Sequence, residues 1–130
     1  MALVELRFPP VAGHVRTARL VASAVARRCG FGAERVDEVR LAVGEACARA
    51  VRRSDVCSVR TAVVLRIDDD PPGLKVDVVD DSAAGPREEP LVLALLDGLA
   101  DVVELLPGPA GPDSHVRLVW FGEERSPAAD

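Results

Sequence analysis

The stretch DEVRLAVGEACARAV, from Asp37 to Val51, carries the clearest periodic signal in the chain. Val36, Val39, Val43, Ala46 and Ala50 fall three or four residues apart, which predicts an amphipathic helix from Ala33 or Glu34 to about Arg53. Glu34, Asp37 and Glu38 crowd its first turns and Arg52 and Arg53 its last, the arrangement that suits the helix macrodipole.

Upstream, Val15, Ala18, Val21, Ala22 and Val25 form a second stripe, which predicts a helix from Ala12 to Cys29 closed by Gly30 and Gly32. Before it, Leu3 to Phe8 alternates and predicts a short strand, ended by Pro9 and Pro10. Downstream, Ser58–Ile67 and Leu74–Asp80 read as two strands of a hairpin across an Asp68–Gly73 turn. Asp81–Glu89 is polar and contains Gly85-Pro86, so it reads as a loop, and Pro90–Ala100 as a short helix with proline in its first turn. Val102–Leu106 and His115–Phe121 are strands joined by a turn at Gly108–Pro112. Residues 1–122 are expected to form a single domain, with 123–130 as a disordered tail.

This order of elements predicts an α+β two-layer sandwich, a mostly antiparallel (mixed) sheet with helices on one face. Strands and helices do not alternate regularly, which disfavours a doubly wound sheet.

Composition narrows the function. The chain has 130 residues, 48% hydrophobic and 28% charged, a globular balance for one domain. Its net charge of −5 argues against nucleic acid as a partner. The longest apolar run, Leu91–Leu96, is far shorter than the roughly 20 residues that a membrane span needs. The opening MALVELRFPP lacks the basic and apolar regions of a secretory signal. Cys29, Cys47 and Cys57 form no CxxC pair, so reduced thiols, a cytoplasmic location and no metal site are expected. Aromatic residues are only 3%, so the core must be aliphatic.

The Asp37–Val51 helix resembles the N-box helix of the GHKL (histidine kinase/Hsp90-like) ATPases, most of all the bacterial anti-sigma-factor serine kinase branch, whose helix commonly reads LAVxEAxxNA. The resemblance runs from about Val4 to Trp120 and implies a GHKL, or Bergerat-type, fold. It also implies an ATP and Mg²⁺ site, with Glu45 as the base that activates a hydroxyl. The family's metal-ligand Asn corresponds to Arg49, which is cationic and has no acceptor. The family's DxGxG loop corresponds to Asp80, Asp81, Ser82, Ala83 and Ala84, keeping the adenine-binding Asp but neither glycine. The GxGL segment corresponds to Pro90, Leu91, Val92 and Leu93, where proline removes one N–H and valine adds a branched side chain.

These departures point to a degenerate nucleotide site: no cofactor bound, Asp80 vestigial, Glu45 inactive as a base. The resemblance then implies an anti-sigma-factor-like regulator of a partner-switching pathway, a pseudokinase that binds a sigma factor, an anti-anti-sigma antagonist, or both. A homodimer through the first strand and helix is also implied. The alternative is an active ATP-dependent serine/threonine kinase that phosphorylates the antagonist.

Other residues carry weaker readings. Glu45 and Arg49 lie four apart in the favourable order for a helix ion pair; a second possibility is that Arg49 takes the place of Mg²⁺ as a counter-charge for phosphate. Asp68, Asp69 and Asp70 read as a solvated turn rather than a metal cluster, and His14 and His115 as isolated. Cys47 is expected in the core, and Ser82 is at best a weak phosphoacceptor candidate. Leu91–Leu96 is either core or a docking patch. Arg16, Arg19, Arg27 and Arg28 form a basic side of the first helix that suits an acidic partner.

Overall fold

The computed structural model describes residues 2–70, 73–83 and 90–122. Strand β1 (Ala2–Phe8) leads through a short 3₁₀ turn at Ala12–His14 into α1 (Val15–Arg28) and α2 (Ala33–Val56). Then follow β2 (Val63–Asp70), β3 (Gly73–Val79), α3 (Pro90–Leu99), β4 (Val102–Leu106) and β5 (His115–Trp120). The five strands form one sheet in the order β1-β2-β3-β5-β4. Every neighbouring pair is antiparallel. The structure is α+β, with the helices packed against one face.

Side-chain alternation divides the sheet. Leu65, Ile67, Val76, Val78, Val116, Leu118 and Trp120 are buried against the helices. They meet Val36, Val39, Val43, Ala46 and Cys47 of α2, all of them buried, as the α2 periodicity requires. Trp120 is fully buried, and its indole N–H donates to the Leu99 carbonyl at 2.8 Å, tying the end of α3 to β5.

The opposite face carries a row of alternating charge across all strands. In register, Glu5 faces Arg66, Arg66 faces Asp77, Asp77 faces Arg117, and Arg117 faces Glu104. Arg66 Nε donates to Glu5 Oε1 at 2.8 Å and Arg117 Nε to Asp77 Oδ1 at 2.8 Å. Opposite-charge neighbours across strands stabilise a face left to water.

The end of α2 and the start of β2 differ from the sequence reading, and the cause is helix termination. Gly30 (φ +88°) closes α1 in a Schellman motif, with Phe31 N–H bonding Ala26 O and Gly30 N–H bonding Arg27 O. α2 ends in the same motif, but with Ser58 (φ 55°) in the left-handed position: Val59 N–H bonds Ser54 O and Ser58 N–H bonds Asp55 O. The helix therefore runs to Val56, and β2 begins at Val63 rather than Ser58. Asp68 to Asp70 belong to β2 and not to a turn. Asp69 there accepts the Cys29 thiol at 2.9 Å. The expected tail at 123–130 and residues 84–89 of the Asp81–Glu89 loop lie outside the described residues.

Candidate functional site

The second half of α2 presents Glu45, Arg49 and Arg53 at intervals of four residues, so they share one side of the helix. Arg49 and Arg53 are each only 4% exposed. Beneath Arg53, β3 ends and the chain turns at Asp80, itself 3% exposed. Arg53 Nε donates to Asp80 Oδ2 at 3.2 Å, and the Ser82 backbone N–H donates to Asp80 Oδ1 at 2.9 Å. Each carboxylate oxygen thus already holds an internal donor.

The segment is fastened from the other side. Asp80 N–H bonds Ser114 O at 2.9 Å, where β5 begins, and the Ser114 hydroxyl donates to Gly111 O at 3.0 Å. A Cβ on Gly111 would collide with the carbonyl oxygens of Ser82 and Ala83, so the β4–β5 loop rests directly on this segment. Ser82 is fully buried, which keeps its hydroxyl from solvent.

Glu45 is half-buried while Arg49 is buried. Among the described residues no hydrogen bond or ion pair joins the two. The expected i,i+4 pair is thus not seen among the described residues, where Arg49 is buried and Glu45 only half-buried.

Whether these residues fit Mg²⁺ and ATP can be asked of the donor set. A divalent cation needs oxygen ligands. The position matching the ligand Asn carries a buried guanidinium, and the Asp80 carboxylate is committed to Arg53. No group of three His, Cys, Asp or Glu side chains among the described residues is placed to hold a metal. The described residues do not fit the metal–nucleotide group.

Arg53 is the residue that sequence reasoning missed. It was legible only as a cation suiting the end of a helix, and its one signal was the four-residue spacing from Arg49 and Glu45. The remaining expected residues lie elsewhere. His14 is exposed, and His115 is part-buried with Nε2 at 2.7 Å from Asp77 Oδ1. Cys47 is fully buried, and burial pushes its thiol up to about 12. Pro90, Leu91, Val92 and Leu93 open α3, where Leu91 is 84% exposed and Leu96 is buried.

On the far side of α2, a cavity of about 460 Å³ opens between α1 and α2, lined by residues that include Gly13, Arg16, Arg19, Val51 and Arg52. A Cβ on Gly44 would collide with the Arg19 guanidinium, so that glycine makes room for an arginine lying across the helix pair.

The comparisons with known proteins agree with this architecture. Serine-protein kinase RsbW of Bacillus pumilus (strain SAFR-032) is 36% identical over 52 residues, covering 40% of this chain and 32% of that protein. The matched stretch thus spans about a third of the relative's length. A crystal structure of the RsbU and RsbW domains of Rv1364c from Mycobacterium tuberculosis superposes with a TM-score of 0.72 at 14% identity, covering 93% of this chain and 32% of that one. That likeness is one of fold. The family described as "Histidine kinase-like ATPase domain" matches residues 8–120, and the chain belongs to it.

Proposed function

We propose that this chain is a protein-binding regulator of the partner-switching kind, an anti-sigma-factor-like pseudokinase that works without nucleotide. The carrying observation is the buried Arg53–Asp80 ion pair at the end of β3. Opening a buried pair costs about 3–5 kcal/mol when one partner is left uncompensated. A ligand that used the Asp80 carboxylate would have to meet that cost. Arg49, buried at the metal-ligand position, adds positive charge where a cation would sit.

The partner is a protein, a sigma factor or an anti-anti-sigma antagonist, in the cytoplasm; no helix of the described residues is long and apolar enough to cross a membrane. The Arg16–Arg19 side of α1, with its cavity against α2, is the surface we assign to an acidic segment of that partner. Self-association through β1 and α1 belongs to the same reading.

One observation favours a second reading, an active serine/threonine kinase using ATP and Mg²⁺. Glu45 forms no ion pair among the described residues and is only half-buried, as a base that must reach a substrate hydroxyl has to be.

Thermal unfolding with and without ATP, each with and without Mg²⁺, separates the two. A ligand at a hundred times its Kd adds about 2.7 kcal/mol of stability. No shift in any condition is the expected result. A Mg²⁺-dependent shift overturns the pseudokinase reading, and loss of phosphotransfer in Glu45→Ala then assigns the base. A shift that ignores Mg²⁺ means that Arg49 serves as the counter-charge for phosphate.

A further inference from the structure

The alternating charge row on the open sheet face ends in a carboxylate at both edges, Glu5 on β1 and Glu104 on β4. The two ends are not equivalent. Glu5 is held by both Arg66 and Arg7. Glu104 is exposed and makes no ion pair among the described residues, because Arg117 gives its Nε to Asp77 instead. β4 pairs only with β5, so its other edge presents backbone N–H and C=O groups that no described strand uses.

The inner side of the same edge is open as well. Val103 and Leu105 point to the helical side but are only partly buried. Between them and α3 runs a groove of about 380 Å³, lined by Leu93, Ala94, Asp97, Val103 and Leu105. Its walls are apolar except for the exposed carboxylate of Asp97.

We propose that the β4 edge takes up an extended segment of another protein by strand addition, and that this segment alternates apolar and basic residues. In an added strand, every second side chain enters the groove, where apolar residues meet Leu93, Val103 and Leu105. The intervening side chains emerge on the open face. The one beside Glu104 continues the series Glu5, Arg66, Asp77, Arg117, Glu104, and its complement is Lys or Arg. A second copy of this chain is the poorer occupant. Pairing β4 with β4 about its centre sets Glu104 against Glu104, and pairing it with β1 sets Glu104 against Glu5, both like-charge contacts that destabilise a sheet. This groove shares no lining residue with the Glu45, Arg49, Arg53 and Asp80 group and does not depend on whether that group admits nucleotide.

The test uses the whole chain and a short capped peptide alternating valine and lysine, with a valine–glutamate peptide as its counterpart. Isothermal titration is expected to show saturable binding of the lysine peptide only. Amide hydrogen exchange of Val102–Leu106 is expected to slow on binding. Glu104→Lys weakens the lysine peptide by roughly tenfold or more and admits the glutamate peptide. Glu5→Lys, at the other edge, leaves both unchanged. A lysine peptide with alternate backbone amides N-methylated loses binding, since strand addition needs those donors. Failure of the lysine peptide to bind overturns the proposal. So does equal binding of the methylated peptide, or an equal loss from Glu5→Lys, which marks general attraction to an acidic protein. Self-association through β4, seen as slowed exchange at Val102–Leu106 with rising protein concentration, overturns the choice of occupant.

Discussion

The two faces of the sheet solve the same electrostatic problem in opposite ways. The inner face is apolar almost throughout, and at its edge lies the Arg53–Asp80 ion pair, with side chains 4% and 2% exposed. The outer face carries a whole row of charge, and its Glu5–Arg66 pair is 36% and 49% exposed. Geometry does not distinguish them much, since the two pairs measure 3.2 and 2.8 Å. Solvent does. A buried pair has already lost its hydration, so each partner depends on the other, and removing one leaves a charge that water cannot reach. An exposed pair gains little because water and salt compete for both partners. The buried pair therefore binds its two partners to each other, while the exposed row keeps opposite charges side by side in register.

The largest effect that this contrast predicts is at Asp80. Asp80→Ala should cost about 3–5 kcal/mol in urea unfolding, and Arg53→Met combined with Asp80→Leu should recover most of it. A double variant as unstable as the single one would break the contrast, because it would make the pair a net source of stability rather than a mutual obligation.

Alkaline unfolding tests the inner side without mutation. Burial pushes the Cys47 thiol up to about 12 from its ordinary 9.0. Cys29 rises to about 12 as well, first through burial and then through its bond to Asp69. An unfolded thiol loses its proton near the ordinary value and the native one does not. The contribution is whole below pH 9.0 and is lost as the pH climbs towards 12. For Cys47 the slope is about 1.4 kcal/mol per pH unit within that window, to be read from urea curves at successive pH values. Both thiols should resist iodoacetamide in the native protein at pH 9.0, below the raised values.

The outer face should respond less. Asp77 accepts from Arg117 and faces His115, all three part-buried, and Asp77→Ala should cost about 1–2 kcal/mol. The smallest effect is expected at Glu5. Hydrogen bonds from Arg66, and then from Arg7, hold its carboxyl below the ordinary 4.5. Its contribution is present above that value and is lost as the pH falls through the lowered one. Glu5→Gln should be detectable only at low ionic strength, and an effect that persists in high salt would blur the distinction between the faces.

Much of this was legible along the chain. The α2 stripe, the alternation of β3 and β5, and the grouping of helices on one side were written in local periodicity. Arg49 and the missing glycines at Ser82, Ala84, Pro90 and Val92 were legible too, but only through the family resemblance. The start of β2 was not, because Val59 and Thr61 carry strand propensity while Ser58 is taken by the helix cap. The Glu45–Arg49 pair was permitted by its spacing and then overridden, since Arg49 is drawn into the interior.

By itself the sequence determined the elements, the apolar side of each, and the family to which the chain belongs. These depend on repeats of two or of three to four residues and on motifs contained in single segments. Only the tertiary structure decided that Arg53 closes on Asp80, 27 residues away, and that Glu104 ends its row with no ion pair among the described residues. Such pairings depend on where β3 stops beneath α2 and on which strand lies at the edge. No local period carries that information, because it arises only when distant segments compete for burial and for the same few counter-charges.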